Sequence, residues 1–284
     1  MPTVQLFVTC LIDTFFPHIG EAMVNVLNRA GVNVDFPATQ TCCGQPAFNA
    51  GLRMDARAMA MHTIRVFERP PRSSRSTPEG GKTSEVLPVI VPSGSCAYMI
   101  RHGYLELFAD NPAWLPRAKS LAARTFEFSE YLVDALGVTD VGAGWDGRLT
   151  YHSSCHLLRG LGVDRQPRAL LAAVRGAEIV ELPHADECCG FGGVFAVEHP
   201  ELSAEFLKRK IANLETIPPS TPFVPRATAA RRCETAGSGQ ATLVVCDTGC
   251  LMHIQGGLHH QRTAAGRRGK SQRVVHIAEV LANQ

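Results

Sequence analysis

Short apolar runs alternate with longer stretches in which apolar residues recur every three or four positions. Val4–Val8, Val32–Phe36 and Val86–Val91 read as strands, and Leu149–Tyr151, Glu178–Leu182 and Leu243–Val245 match them further along. Helical patterns lie between them at Gly20–Ala30, Leu52–Glu68 and Phe126–Leu136, then at Gln166–Arg175, Pro200–Glu215 and Val275–Ala282. In the second of these, Leu52, Ala56, Met59, Thr63 and Phe67 form an apolar stripe; in its counterpart Leu202, Phe206, Lys210, Ile211 and Leu214 do so less cleanly. Alternating strand and helix predicts an α/β fold with mainly parallel sheets flanked by helices.

The order of elements occurs twice. VQLFVTC (4–10) answers LTYHSSC (149–155), GVNVDFPATQTCCG (31–44) answers GAEIVELPHADECCG (176–190), and VIVPSGSC (89–96) answers LVVCDTGC (243–250). FSEYLVDALG (128–137) answers VHIAEVLANQ (275–284). The chain therefore reads as two pseudo-symmetric modules, 1–140 and 148–284, joined by the glycine-rich VTDVGAGWDG. Each carries a Pro-, Ser-, Thr- and Gly-rich insertion, at about 69–87 and about 216–240, which reads as a solvated loop.

Composition narrows the function. Apolar residues make up 45% of the 284, enough for a sizeable core, and 28 basic against 26 acidic residues leave a net charge of +2. That balance gives no support to a nucleic-acid or membrane-surface role. No apolar run approaches the ~18 residues of a transmembrane segment, and the N-terminus lacks the basic region of a signal peptide. The expected location is the cytoplasm, where thiols stay reduced and structural disulfides are rare. Ten cysteines in such a chain point to metal binding or redox chemistry.

Eight of the ten follow the repeat. Cys10 is separated from Cys42 and Cys43 by 31 residues and Cys155 from Cys188 and Cys189 by 32; each vicinal pair precedes a glycine, and Cys96 and Cys250 follow. Cys233 lies in the second insertion and stands outside this set. Cys10, Cys96, Cys155 and Cys250 each come just after a strand-like run. In a parallel sheet the carboxyl ends of strands share one edge, where ligands bind, so four thiols per module can converge there. Disulfides between neighbours are disfavoured, because adjacent Cα atoms sit about 3.8 Å apart, below the usual ~4.4 Å minimum. Four thiolates suit a closed tetrahedral zinc site, although the short C-x2-C knuckles usual there are absent. They also match the ligand count of a [4Fe–4S] centre, and a glycine after each pair lets the backbone come close to it.

The twice-repeated Cys-x31-Cys-Cys-Gly pattern with a later Cys resembles the CCG or cysteine-rich domain. That family includes a component of heterodisulfide reductase and the iron–sulfur subunit of glycolate oxidase. Within it, LFVTCLID (6–13), VDFPATQTCCGQPAFNAG (34–51), PSGSC (92–96), CHLLRGLGV (155–163), ECCGFGGVFAV (187–197), DTGCLMHI (247–254) and HIAEVL (276–281) are similar to the lactate-utilization protein A family. The resemblance implies an iron–sulfur electron-transfer protein of the cytoplasm, working in oxidation of L-lactate to pyruvate beside a ferredoxin-like iron–sulfur partner and a third small protein. It implies one or two [4Fe–4S] clusters per chain, held by Cys10, Cys42, Cys43 and Cys96 and by Cys155, Cys188, Cys189 and Cys250. Related readings are the glycolate oxidase iron–sulfur protein, a thiol–disulfide reductase of the heterodisulfide type, and a zinc-bound scaffold. CCG domains often end in C-x2-C; here Ser93 and Asp247 hold the first of those positions, which counts against a fifth thiol.

Other side chains near the motifs have bland and chemical readings. His152 and His156 flank Cys155 as ligands, proton donors or plain helix-entry residues. Arg53, Arg101 and Arg159 are partners for a 2-hydroxy acid carboxylate, offsets to cluster charge or ordinary surface charge, and Glu130 and Glu279 lie on a solvated face or pack between helices. Phe48, Phe191 and Phe195 shield the sites from water. Cys246 reads as a buried strand cysteine. No dinucleotide, Walker or serine-elbow motif is present.

Overall fold

A computed structural model describes residues 1–69, 86–218, 240–266 and 272–284. The two insertions, with Cys233, lie almost wholly outside them. Eight strands among the described residues build two four-stranded, all-parallel sheets. The first uses β1 (Thr3–Leu6), β2 (Asn33–Asp35), β3 (Val89–Val91) and β4 (Thr125–Glu127), in the order β2-β1-β3-β4. The second uses β5 (Gly144–His152), β6 (Arg175–Ile179), β7 (Thr242–Val245) and β8 (Val274–His276), in the order β6-β5-β7-β8. The α/β class and the duplication follow the sequence reading.

The sequence pattern explains which strands are central. β3 is Val-Ile-Val and buried throughout, and Leu243, Val244 and Val245 of β7 are buried as well, as strands covered by helices on both faces require. β2 and β6 run along the edges and expose polar residues. Helices Pro17–Arg29, Arg53–Phe67, Leu115–Ala122, Arg165–Ala172, Pro200–Glu215 and Thr248–Ala264 flank the sheets. Proline stands in the first turn of three of them, where its missing N–H leaves nothing unpaired.

Several expectations change. The segments read as helices at Phe126–Leu136 and Val275–Ala282 each begin as a strand; β4 and β8 run straight into helices Phe128–Glu130 and Ile277–Ala282. The apolar stripe of Pro200–Glu215 is also turned. Leu202 and Phe206 are exposed, and the face toward the protein is Ser203, Lys210, Ile211 and Leu214. Leu52 precedes its helix and is exposed. The supposed joint is partly strand, because β5 begins at Gly144.

The two sheets share packing. Helix Ile277–Ala282 of the second half lies on helix Pro17–Arg29 of the first, and Arg29 Nη2 donates to Leu281 O at 2.8 Å. Ile277, Val280 and Leu281 are fully buried between helix Pro17–Arg29 and β5, β7 and helix Arg165–Ala172 of their own half, so part of their burial, about 1.5–3 kcal/mol for each whole side chain, holds the halves together. One continuous apolar cluster includes Leu6 and Ile90 as well as Leu149 and Val244.

Candidate metal centres

In each sheet the chain steps from the first strand outward on one side and then returns to pair on the other. The strand order therefore reverses between β1 and β3, and between β5 and β7. Such a switch point opens a crevice at the carboxyl ends of the two strands. Cys10 opens helix Cys10–Phe15 after β1, and Cys96 lies in helix Gly94–Tyr98 after β3. Cys155 follows β5, and Cys250 lies in helix Thr248–Ala264 after β7. The Cys-Cys-Gly turns reach in from beyond β2 and β6.

The structure brings both sequence-predicted quartets together. In the first, the Cys10 thiol hydrogen-bonds to Cys42, Cys42 lies against Cys43, and the Cys43 and Cys96 sulfurs are 3.2 Å apart. In the second, Cys155 hydrogen-bonds to Cys188, Cys188 lies against Cys189, and the Cys189 and Cys250 sulfurs are 3.3 Å apart. All eight, and Cys246, are free thiols. The first cysteine of each vicinal pair is the favoured thiolate in both, and in the second quartet the bond from Cys189, with His152 alongside, also lowers Cys250 to about 7. The thiols of Cys10 and Cys43 donate to Cys42 and hold it well below the ordinary thiol range, while the N–H of Gly44 adds a bond at 3.4 Å. Cys155 and Cys189 do this for Cys188, helped by Gly190 N–H at 3.3 Å. The donors are correspondingly pushed up by those bonds and by burial. Each quartet thus holds at least one thiol ready as a thiolate, the form that binds metal. Four sulfurs converging around a pre-ionised thiolate, with backbone N–H groups alongside, fit a thiophilic metal or an iron–sulfur cluster.

The supports differ in kind. Thr9, just before Cys10, has φ 71° and ψ 149°, a conformation that suits glycine and strains a β-branched residue. Gln40 holds this turn: its Oε1 accepts from Val8 N at 2.7 Å, and its Nε2 donates to Leu6 O at 2.9 Å. Tyr104 donates to Cys43 O at 2.9 Å. Beside the second quartet, buried Lys210 donates to His184 O at 2.7 Å, and desolvation pulls its pKa down. Sequence reasoning assigned no role to Gln40, Tyr104 or Lys210. A lysine on the apolar stripe of a helix was the one available signal.

The remaining candidates are placed as follows. His156 Nδ1 is 3.7 Å from Cys155 Sγ, and His152 is fully buried beside Cys189 and Cys250. Arg53 pairs with Glu106 at 2.6 Å, Arg101 with Glu130 at 2.9 Å, and Arg159 donates to Asp186 O at 2.8 Å, so each cation is engaged within the protein. Glu130 and Glu279 accept the backbone N–H groups of Glu127 and His276, forming matching capping boxes. Phe191 lies over Gly249 next to Cys250, Phe48 sits under the Arg53 guanidinium at 4.5 Å, and Phe195 is half-buried against Gly192. Cys246 is fully buried beside Tyr151, and burial pushes its thiol up.

Ser93 and Asp247, the two positions that depart from C-x2-C, meet each other. Ser93 Oγ donates to Asp247 Oδ2 at 3.0 Å, Ser95 N donates to the same oxygen at 2.8 Å, and Gly249 N donates to Oδ1 at 3.0 Å. One carboxylate thereby ties the helix carrying Cys96 to the helix carrying Cys250. Ser93→Ala is expected to cost about 1–2 kcal/mol, because Asp247 keeps its two backbone donors. Equilibrium urea unfolding checks this; an unchanged midpoint contradicts it.

Duplicated switch-point folds, each with four converging thiols, define a protein of two cysteine-rich domains. A family described as "CCG: Cysteine-rich domain" matches residues 4–101 and 149–221. The chain is similar to Lactate utilization protein A of an Exiguobacterium species, at 40% identity over 281 residues covering 99% of this chain and 97% of that one. It is similar to Lactate utilization protein A of Geobacillus thermodenitrificans, at 41% over 278 residues and 98% of each chain. With Lactate utilization protein A 2 of Bacillus cereus it shares 39% over 279 residues, 98% of this chain and 97% of the other. The chain belongs to the lactate utilization protein A family of cysteine-rich domain proteins. Among the described residues no helix is long and apolar enough to cross a membrane.

Proposed function

We propose that the protein is the iron–sulfur electron-transfer component of a cytoplasmic system that oxidises L-lactate to pyruvate. The observation that carries this reading is the convergence of two like thiol quartets at the two switch points of one molecule. Cys10, Cys42, Cys43 and Cys96 would hold one centre, and Cys155, Cys188, Cys189 and Cys250 the other. Such centres accept and release one electron at a time. Lactate gives up two, so two centres in one chain match its demand, and removal of hydrogen from the substrate falls to a partner. The chain's own residues hold the thiolates, supply backbone N–H groups to Cys42 and Cys188, and exclude water through Phe48 and Phe191. The lactate substrate and the multi-protein setting rest on the names of the relatives; the partners are a ferredoxin-like iron–sulfur protein and a third small protein. Modules 1–140 and 148–284 each supply one centre.

Ser93 and Asp247 favour this over heterodisulfide chemistry, since each fills the place of a further thiol with a hydrogen-bonding oxygen. Iron and acid-labile sulfide per chain, measured on oxygen-free protein, test the reading. About four of each per quartet are expected. A colourless protein with stoichiometric zinc overturns it. Deleting the gene is expected to abolish growth on L-lactate; normal growth there with failure on glycolate moves the substrate to glycolate.

A further inference from the structure

The two quartets are not equivalent. Matching VQLFVTC to LTYHSSC sets Phe7 against His152. Both are fully buried. The Phe7 ring packs edge-on against Phe67, with centroids 5.5 Å apart, and offers no donor or acceptor. His152 ends β5, and its Nδ1 lies 3.1 Å from Ala185 O. A carbonyl only accepts, so Nδ1 carries a proton and is taken up by that bond, which leaves Nε2 as the nitrogen able to meet a metal. That Nε2 is buried and makes no hydrogen bond to a nitrogen or oxygen among the described residues, and His152, after the bond from Cys189, helps pull the neighbouring Cys250 thiol down to about 7. A ring nitrogen of His152 and the sulfurs of Cys189 and Cys250 all lie within 4.8 Å of one another. With Nδ1 engaged, Nε2 is the nitrogen left for that cluster. Its orientation is fixed from behind, because Lys210 Nζ binds His184 O at 2.7 Å and reaches Ala185 O at 3.4 Å. A histidine whose far nitrogen donates to a backbone carbonyl while the near one faces two thiols is arranged as metal-binding histidines are.

We propose that His152 Nε2 is a ligand of the inorganic centre in the second quartet, and that the first quartet, with Phe7 in its place, binds through sulfur alone. This rests on the iron–sulfur reading and deepens it. A neutral imidazole brings less negative charge to a cluster than a thiolate does, and imidazole ligation raises cluster potentials. The second centre is therefore the better electron acceptor, and electrons entering at the first centre run toward it.

Pulsed electron paramagnetic resonance on reduced, oxygen-free protein tests this, with iron and sulfide measured on the same samples. The wild type is expected to show the strong nitrogen coupling of a bound imidazole on one centre only. The coupling should change pattern when the protein is grown with 15N-histidine, a test that needs no variant. His152→Phe should abolish it and lower the potential of that centre alone, while His156→Ala leaves it in place. Absence of the coupling from every bound centre overturns the proposal, as does its persistence in His152→Phe. If the samples hold no iron or sulfide, the iron–sulfur reading has failed separately. The ligand is then read from the zinc edge, as one nitrogen at about 2.0–2.1 Å beside sulfurs at about 2.3 Å, lost in His152→Phe. An all-sulfur shell overturns it there.

Discussion

Gly190→Ala is expected to empty the second quartet while the first stays filled. Gly190 has φ +92°, where a side chain is strained at about 1–3 kcal/mol. Space makes it worse: a Cβ there would sit 2.5 Å from Ser203 O and 2.8 Å from Phe206 Cβ. Ser203 O belongs to the backbone of helix Pro200–Glu215, so relief requires moving either the helix or the turn. The turn is the softer of the two, and it carries Cys188 and Cys189. The combined cost is roughly 3–5 kcal/mol, a large share of an ordinary domain's stability. Gly44→Ala provides the internal control. Its φ is +84°, but the nearest contacts are Met59 Cβ at 3.1 Å and Ala56 O at 3.4 Å, which a shift of a few tenths of an ångström relieves. The expected cost is about 1–2 kcal/mol, with the first centre retained. Iron and sulfide per chain should fall by about half in Gly190→Ala and little in Gly44→Ala. Equal losses in the two variants would contradict the argument.

What the chain discloses before folding depends on how local the determinant is. The eight thiols were legible because their chemistry is carried by one residue type and their spacing repeats. Parallel sheets were legible because β3 and β7 are apolar runs and short strand-like runs alternate with helices in the same order twice. The fourth strand of each sheet was hidden by continuity: TFE and VVH are three residues long and pass without a break into the apolar face of the next helix. Their boundaries are set by capping boxes at Glu127 and His276, and the second uses a histidine where an acidic or hydroxyl residue is usual. Gln40 and Lys210 were hidden for another reason. Each acts chiefly on backbone atoms 25 to 34 residues away, contacts that exist only once the sheet has formed. The repeat suggested two modules in series, yet helix Ile277–Ala282 packs across onto helix Pro17–Arg29 of the first half as well as onto β5, β7 and helix Arg165–Ala172 of its own.

Glu127→Gln is expected to become more stabilising, relative to the wild type, as pH rises from about 4.5 to 8. Glu127 is fully buried, with one oxygen accepting from the N–H groups of Ser129 and Glu130 and from the Ser129 hydroxyl. Its other oxygen has no hydrogen-bond partner among the described residues. Desolvation pushes its pKa from 4.5 up to about 7. The folded protein therefore keeps a proton that the unfolded chain releases, and the stability held below pH 4.5 is lost as pH rises through 7. The span corresponds to about 3 kcal/mol. Its pseudo-symmetric partner does the reverse. His276 is fully buried, its Nε2 donates to Pro92 O at 2.7 Å, and desolvation pulls its pKa from 6.5 down to about 4. That stability is present above pH 6.5 and lost as pH falls through 4. Between about pH 4.5 and 6.5 the two slopes have opposite sign and similar size, so they cancel. Removing the acid exposes the histidine's slope, and urea unfolding of wild type and Glu127→Gln at pH 4.5, 6 and 8 reads the difference directly. A difference between the two proteins that stays constant across that range would show that Glu127 does not hold its proton in the fold.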